Sequence, residues 1–88
     1  MYTFLVAYDL RSDWSDEHYS RVSDAIRSCG TAVEAERSVW FLQSRHLAKE
    51  VQRILAEELD GSDRILVIEV KRHWALRNLM DGARDLLP

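Results

Sequence analysis

The first ten residues restrict the fold of this chain more than any other segment. Residues 2–8 all carry strand-favouring or small apolar side chains, and the carboxylate of Asp9 follows them directly. A run that is apolar on both faces is typical of a central strand that is covered on both sides. We therefore expect Asp9 to lie at the end of a rigid central strand. There it either binds a metal ion or organises the next loop by accepting from the backbone amides of residues 11–13.

Two helical patterns alternate with strand-like segments. Ser15 is a candidate N-cap for a first helix, which we expect to end at Gly30 in the left-handed conformation that glycine tolerates. A second helix is predicted over residues 47–59 from its apolar stripe. Between the helices, residues 31–43 have the pattern of two strands joined by a tight turn near Ser38, or of one long bent strand.

A further apolar run over residues 64–70 predicts a second central strand. The order strand, helix, strand, strand, helix, strand is that of the ferredoxin-like α+β fold, with both helices on one face of the sheet. We expect residues 1–72 to form this domain and residues 73–88 to form a tail that packs on the sheet or on a partner chain. In the tail, apolar residues recur at the spacing of an amphipathic helix: Leu76, Leu79, Met80, Ala83 and Leu87.

Composition favours a small protein that associates with itself. A chain of 88 residues has a thin margin of stability, and 47% hydrophobic residues with three tryptophans suggest an interface as well as a core. The net charge of −3 argues against strong non-specific binding to nucleic acid.

There is no apolar run of the ~18 residues that span a membrane and no signal-peptide pattern, so we expect no membrane partner and a cytoplasmic location. The single Cys29 fits a reducing compartment and a buried, inert thiol.

Four short motifs follow one another along residues 2–70: Tyr8-Asp9-Leu10, Ala25-Ile26-Arg27-Ser28-Cys29-Gly30, Ser38-Val39-Trp40 and Leu59-Asp60-Gly61-Ser62-Asp63-Arg64. Their order and spacing resemble the CRISPR-associated protein 2 superfamily. The similarity is greatest to its stand-alone SinR-like branch, and virulence-associated protein D is a further relative.

The resemblance implies a homodimer of ferredoxin-like protomers whose sheets face each other, with Asp9 near the dimer axis. In some members, two such aspartates hold a divalent metal, Mg²⁺ or Mn²⁺, that activates water against a phosphodiester of RNA or DNA. Other members are catalytically silent scaffolds in spacer acquisition, and the virulence-associated protein D relatives are ribonuclease toxins. The resemblance therefore implies a metal-dependent endonuclease with Asp9 as ligand, or a silent dimeric scaffold. The implied protein partner is an integrase in antiviral defence, or an antitoxin.

The chain departs from this family at the start of the first helix. Nuclease members often carry Lys and Arg after the aspartate, whereas this chain has Ser15, Asp16, Glu17 and His18. Negative charge at this position repels phosphate, so the silent alternative remains open.

Several polar and aromatic residues are candidates for contacts. Ser12 and Asp13 either support Asp9 or form a polar turn, and the three histidines, His18, His46 and His73, are expected at the surface. Trp40 is expected in the core or an interface, and Trp74 as an anchor for the tail. The candidates for a phosphate backbone, with structural or solvated roles as the alternative, are Ser38, Arg45, Lys49, Arg53, Lys71 and Arg72.

Overall fold

The computed structural model describes residues 1–11 and 14–88. Its elements in chain order are β1 (Tyr2–Asp9), α1 (Asp16–Ser28), β2 (Thr31–Glu36), β3 (Val39–Ser44), α2 (Ala48–Ala56) and β4 (Arg64–Glu69), followed by one 3₁₀ turn (Ala83–Leu86). The strands form one antiparallel sheet in the order β2-β3-β1-β4. This arrangement confirms the predicted α+β fold of the ferredoxin-like type.

The two faces of the sheet have different coverings. Phe4, Val6 and Tyr8 of β1 are buried in a core with side chains of both helices, among them Ile26 and Leu55. Burying an apolar side chain of this size contributes about 1.5–3 kcal/mol. Both helices therefore lie on one face, as the handedness of the crossovers predicts. We call the opposite face, to which the alternate residues of β1 point, the open face.

The C-terminal segment crosses the open face above β2 and β3. Ala83 is fully buried against Ala35 and Phe41, and the Met80 N–H donates to the Ala35 carbonyl at 2.9 Å. Instead of the predicted amphipathic helix, this segment has one 3₁₀ turn (Ala83–Leu86). The reason is the left-handed backbone at Asn78 (φ 56°) and Gly82 (φ 83°), which interrupts any helix through this segment.

β4 is an edge strand of the sheet, so the prediction that it is central was wrong. Ile65 and Val67 pack toward the helices, but Leu66 and Ile68 lie on the open face and are 51% and 49% exposed. The prediction rested on the premise that a strand with apolar side chains on both faces is covered on both faces. Here the C-terminal segment covers β2 and β3 and leaves the open face of β4 bare.

The ends of the helices show which local signals decide the chain's path. The Ser15 hydroxyl accepts the His18 N–H at 3.1 Å, which confirms Ser15 as the N-cap. Gly30 does not have the expected left-handed backbone. Glycine is required there because a Cβ would overlap the Gln43 carbonyl of β3. α2 begins at Ala48, so Arg45 precedes the helix.

The three tryptophans have different surroundings. Trp40 is buried in the core, as expected, and its indole N–H donates to the Tyr8 hydroxyl at 3.3 Å. Trp74 joins the two ends of the tail, because its N–H donates to the Pro88 carbonyl at 3.1 Å and the Arg84 guanidinium lies 5.8 Å from its ring centre. Trp14, in the loop before α1, is 74% exposed.

Candidate functional site

Asp9 is the last residue of β1 and lies on the open face. Its side chain is 55% exposed, and its Oδ2 atom lies 3.5 Å from Nη1 of Arg11. The residue opposite Asp9 on β4 is Arg64. An ion pair as exposed as that of Asp9 and Arg11 is worth only about 0–1 kcal/mol. The Asp9 carboxylate can therefore exchange this partner for a ligand at little cost.

Arg11 and Arg64 are functional candidates that the sequence patterns did not single out. Arg64 is exposed, and no acidic group of residues 1–11 and 14–88 lies within ion-pair distance of its guanidinium. The start of β4 lies beside the end of β1 because the two strands are antiparallel. A pairing of the first strand with the last would have predicted this juxtaposition from the sequence. The site is thus one carboxylate flanked by two cations.

Asp63 fixes the loop that follows Asp9. Its buried carboxylate accepts the N–H of Arg11 at 2.7 Å and the N–H of Asp60 at 2.9 Å. Nε2 of His18 lies 2.7 Å from the Glu58 carbonyl and 3.8 Å from Asp63 Oδ2. Because the carbonyl only accepts, Nε2 carries the proton that it donates. His18 is 1% exposed, so the expectation of a surface histidine was wrong: the residue joins α1 to the segment before β4.

The alternative role for Asp9 was an acceptor for the amides of residues 11–13. The Arg11 amide donates to Asp63 instead. The expected supporting residues Ser12 and Asp13 lie outside the described residues.

Ser38 lies in the turn between β2 and β3 at the same end of the sheet as Asp9. Its backbone is left-handed (φ 62°), and its carbonyl accepts the N–H of Tyr8 at 3.1 Å. The turn is therefore joined to β1 one residue before Asp9. This contact gives Ser38 a structural role, and a contact of its hydroxyl with phosphate stays a prediction.

The remaining basic candidates lie away from Asp9. Lys49 and Arg53 belong to α2, on the opposite face of the sheet, and Arg45 follows the far end of β3. Lys71 and Arg72 follow β4, whose last residue pairs with Phe4, about 17 Å along the strand from Asp9. Lys71 also forms an ion pair with Glu69 at 2.7 Å. These residues do not form one site with Asp9.

Potential metal ligands are few among residues 1–11 and 14–88. No group of three or more acidic, histidine or cysteine side chains with metal-binding geometry occurs within the described part of the chain. Mg²⁺ is commonly held by one or two carboxylates together with water and phosphate oxygens. The exposed Asp9 carboxylate at the edge of the open face offers such an ion one ligand.

Two side chains with shifted pKa values lie away from Asp9. Burial raises the pKa of the Cys29 thiol, with a smaller opposing effect from the Ser28 side chain. The neutral, buried thiol agrees with the expectation of an inert cysteine. The Leu47 N–H donates to Glu50 at 2.9 Å and lowers the pKa of that carboxyl, so Glu50 serves the start of α2.

Comparison with known proteins supports the fold. No protein family model and no curated protein matches the chain. Among solved structures, a hypothetical protein, TT1823, from Thermus thermophilus is similar, with a TM-score of 0.65 and 21% sequence identity over 89% of this chain and 93% of that one. The similarity places the chain among small ferredoxin-like α+β proteins. No helix in the described ranges is long and apolar enough to cross a membrane.

Proposed function

We propose that this protein is a homodimeric, nucleic-acid-associated protein of the CRISPR-associated protein 2 type. In this proposal it acts as a metal-dependent endonuclease on RNA or DNA. The observation that supports it best is the position of Asp9, an exposed carboxylate at the end of an uncovered apolar strip on the open face. The fold, the Asp9 position and the order of the sequence motifs agree with one another.

The uncovered strip supports association of two copies. It consists of Ala7, Leu66 and Ile68, which are neighbours across β1 and β4. Burying apolar surface contributes about 25 cal/mol per Å², and the half-exposed Leu66 and Ile68 gain it only against another chain. Asp9 and Arg64 continue the same strip at its polar end. A two-fold axis at that end would bring two Asp9 carboxylates together.

The residues of the site have distinct roles in this proposal. The two Asp9 carboxylates would hold Mg²⁺ or Mn²⁺, because two neighbouring carboxylates repel each other and favour a cation between them. When bound, the ion supplies a more acidic water and neutralises charge on the phosphate. Arg64 binds a phosphate oxygen and orients the strand. Arg11 pairs with the Asp9 carboxylate at 3.5 Å when no metal ion is bound.

The proposal also includes a setting for the protein. Its substrate is RNA or DNA, its location is the cytoplasm, and its protein partner is an integrase or an antitoxin in a defence or toxin–antitoxin system.

One observation favours a catalytically silent scaffold as the second candidate. The first turn of α1 exposes Asp16 and Glu17. Only Glu17 has an ion-pair partner within the described ranges, Arg21 at 3.5 Å. Uncompensated negative charge repels a phosphate backbone. In this alternative the dimer organises partner proteins and no phosphodiester is broken.

A cleavage assay that compares the Asp9→Asn variant with the parent protein tests the proposal. The substitution keeps the shape and removes the charge, so Mg²⁺- or Mn²⁺-dependent cleavage of labelled RNA or DNA should be lost while the circular dichroism spectrum is unchanged. Asp85→Asn, an exposed carboxylate in the tail, is the matched control and should cleave like the parent. A parent protein that cleaves nothing with either metal would support the scaffold. Cleavage that survives Asp9→Asn would contradict the assignment of the site.

A further inference from the structure

We propose that Trp14 stacks on an unpaired nucleobase, so that single-stranded rather than duplex nucleic acid occupies the Asp9 site. This inference rests on the proposed function and names its class of substrate. It concerns a residue that the resemblance assigns no role.

The three tryptophans differ in how closely the described residues hold them. Trp40 is buried, and Trp74 is held by Pro88 and Arg84. Trp14 is largely exposed and makes no hydrogen bond or ring contact with residues 1–11 or 14–88. A large apolar ring left in water is available for a ligand. The indole is also the aromatic side chain best suited to stacking and to contact with cations.

The two ends of the Trp14 loop are anchored at the Asp9 end of the sheet. On one side, the Arg11 N–H donates to Asp63. On the other, Ser15 caps α1, and His18 of the same turn lies 3.8 Å from Asp63. Asp63 immediately precedes Arg64, which pairs with Asp9. Trp14 therefore lies in a loop whose ends are held at the same end of the sheet as Asp9 and Arg64.

The charges around this end of the sheet indicate how a nucleotide would be oriented. Arg11 and Arg64 flank Asp9 and attract a phosphate group. Asp16 and Glu17 follow Trp14 and disfavour phosphate at the start of α1. A nucleotide with its phosphate at Arg64 and its base toward Trp14 satisfies both conditions. The acidic turn thus selects which part of the nucleotide faces α1.

Stacking on Trp14 requires a base whose face is free. In a duplex both faces of each internal base are covered by neighbouring base pairs, whereas the bases of single strands can be splayed onto aromatic side chains. Stacking tolerates any base sequence, because every base has a π-face. The site is therefore expected to prefer single strands with little dependence on sequence.

Binding of a labelled single strand of about 12 nucleotides, measured by fluorescence anisotropy, tests the inference. A hairpin duplex of the same composition serves for comparison. The metal is omitted so that cleavage does not intervene. Trp14→Ala should weaken single-strand binding roughly 5- to 150-fold, while Trp14→Phe should retain most of the affinity. The matched control is Tyr2→Ala, a half-exposed aromatic at the other end of β1, which should bind like the parent.

Tryptophan emission provides an independent measurement. The single strand should quench the emission of the parent, and the quenching should be absent in Trp14→Phe. Equal binding by Trp14→Ala and the parent, or tighter binding of the hairpin, would overturn the stacking role and leave the proposed function intact. If the parent binds single strands through Trp14 but shows no cleavage that depends on Asp9, only the enzymatic proposal is overturned. The inference would be overturned if the parent bound no strand. It would also be overturned if the emission of the parent, but not that of Trp14→Phe, shifted when the dimer was diluted.

Discussion

The carboxylate of Asp63 accepts the backbone N–H of Arg11 at 2.7 Å, across 52 positions of the sequence. This bond fixes the chain two residues after Asp9 to the residue that precedes β4. The same carboxylate accepts the Asp60 N–H and lies near His18. One buried side chain thus joins the segment after Asp9 to the loop before β4, with the first turn of α1 beside them.

Asp63→Ala should lower the free energy of unfolding by about 2–3 kcal/mol, because backbone donors lose a charged, buried acceptor. Asp63→Asn keeps one acceptor and should lose less. Urea denaturation measures both, with the exposed Asp81→Asn as control. A loss below about 0.5 kcal/mol for Asp63→Ala, as is usual for surface substitutions, would contradict this role.

Trp40→Ala should destabilise the fold by about 3–5 kcal/mol, since a large buried aromatic leaves a cavity. Tyr8→Phe removes only the hydroxyl that accepts from Trp40 and should cost about 1 kcal/mol. Thermal melting of the two variants separates packing from hydrogen bonding. If Trp40→Ala melts with the parent, the assignment of Trp40 to the core is wrong.

Ile68→Asp should weaken self-association by roughly 100-fold or more, because each of two copies loses about 1.5 kcal/mol or more of apolar burial. Sedimentation velocity across a range of concentrations measures the effect. Leu47→Asp is the matched control, since Leu47 is equally exposed at the start of α2. A parent that sediments as a monomer at micromolar concentration would reject the homodimer. Equal weakening by Leu47→Asp would place the interface elsewhere.

Ala83→Asp should detach the C-terminal segment from the open face, because it places a charge where Ala83 is fully buried beside Phe41. We expect greater binding of a hydrophobic dye and proteolytic cleavage after β4. Ala75→Asp, at an exposed position of the same segment, should leave the parent pattern unchanged. If the C-terminal segment of Ala83→Asp resists proteolysis as in the parent, the contact of Ala83 with Phe41 does not hold it in place.

Stability should decline at alkaline pH partly through Cys29. Burial raises the pKa of this thiol above its ordinary value of 9.0, so the unfolded chain loses the proton first. The contribution of the Cys29 thiol to the free energy of unfolding is complete below pH 9.0. It is lost as the pH rises through the pKa of the thiol in the folded state. The free energy of unfolding, measured at several alkaline pH values, should fall less steeply with rising pH for Cys29→Ala than for the parent. Identical slopes would show that the thiol does not titrate differently on folding.

Local patterns predicted the elements of the fold, whereas coverage of the sheet depended on contacts distant in sequence. The Ser15 cap and the apolar stripes specify the two helices from neighbouring residues. The exposure of Leu66 and Ile68 follows from where the tail crosses the sheet, and two left-handed residues, Asn78 and Gly82, set that path. A helical spacing of apolar residues cannot reveal such a path.

The candidate site was predicted in part for the same reason. Asp9 was apparent because a carboxylate follows an apolar strand. Arg64 and Asp63 join it only through antiparallel pairing of the first and last strands. The burial of His18 was missed because its partners, Glu58 and Asp63, lie at least 40 residues away in sequence.

The β-bulge in β2 gives the sheet two unequal borders. Ala35 is the extra residue between Glu34 and Glu36, and its carbonyl is occupied by the Met80 N–H. On the other border, β4 has no strand beyond it among the described residues. At β2, by contrast, the C-terminal segment already pairs with one backbone group of the border. The bulge and the paired carbonyl disfavour strand addition at β2, so the two borders differ in how readily they can accept another strand.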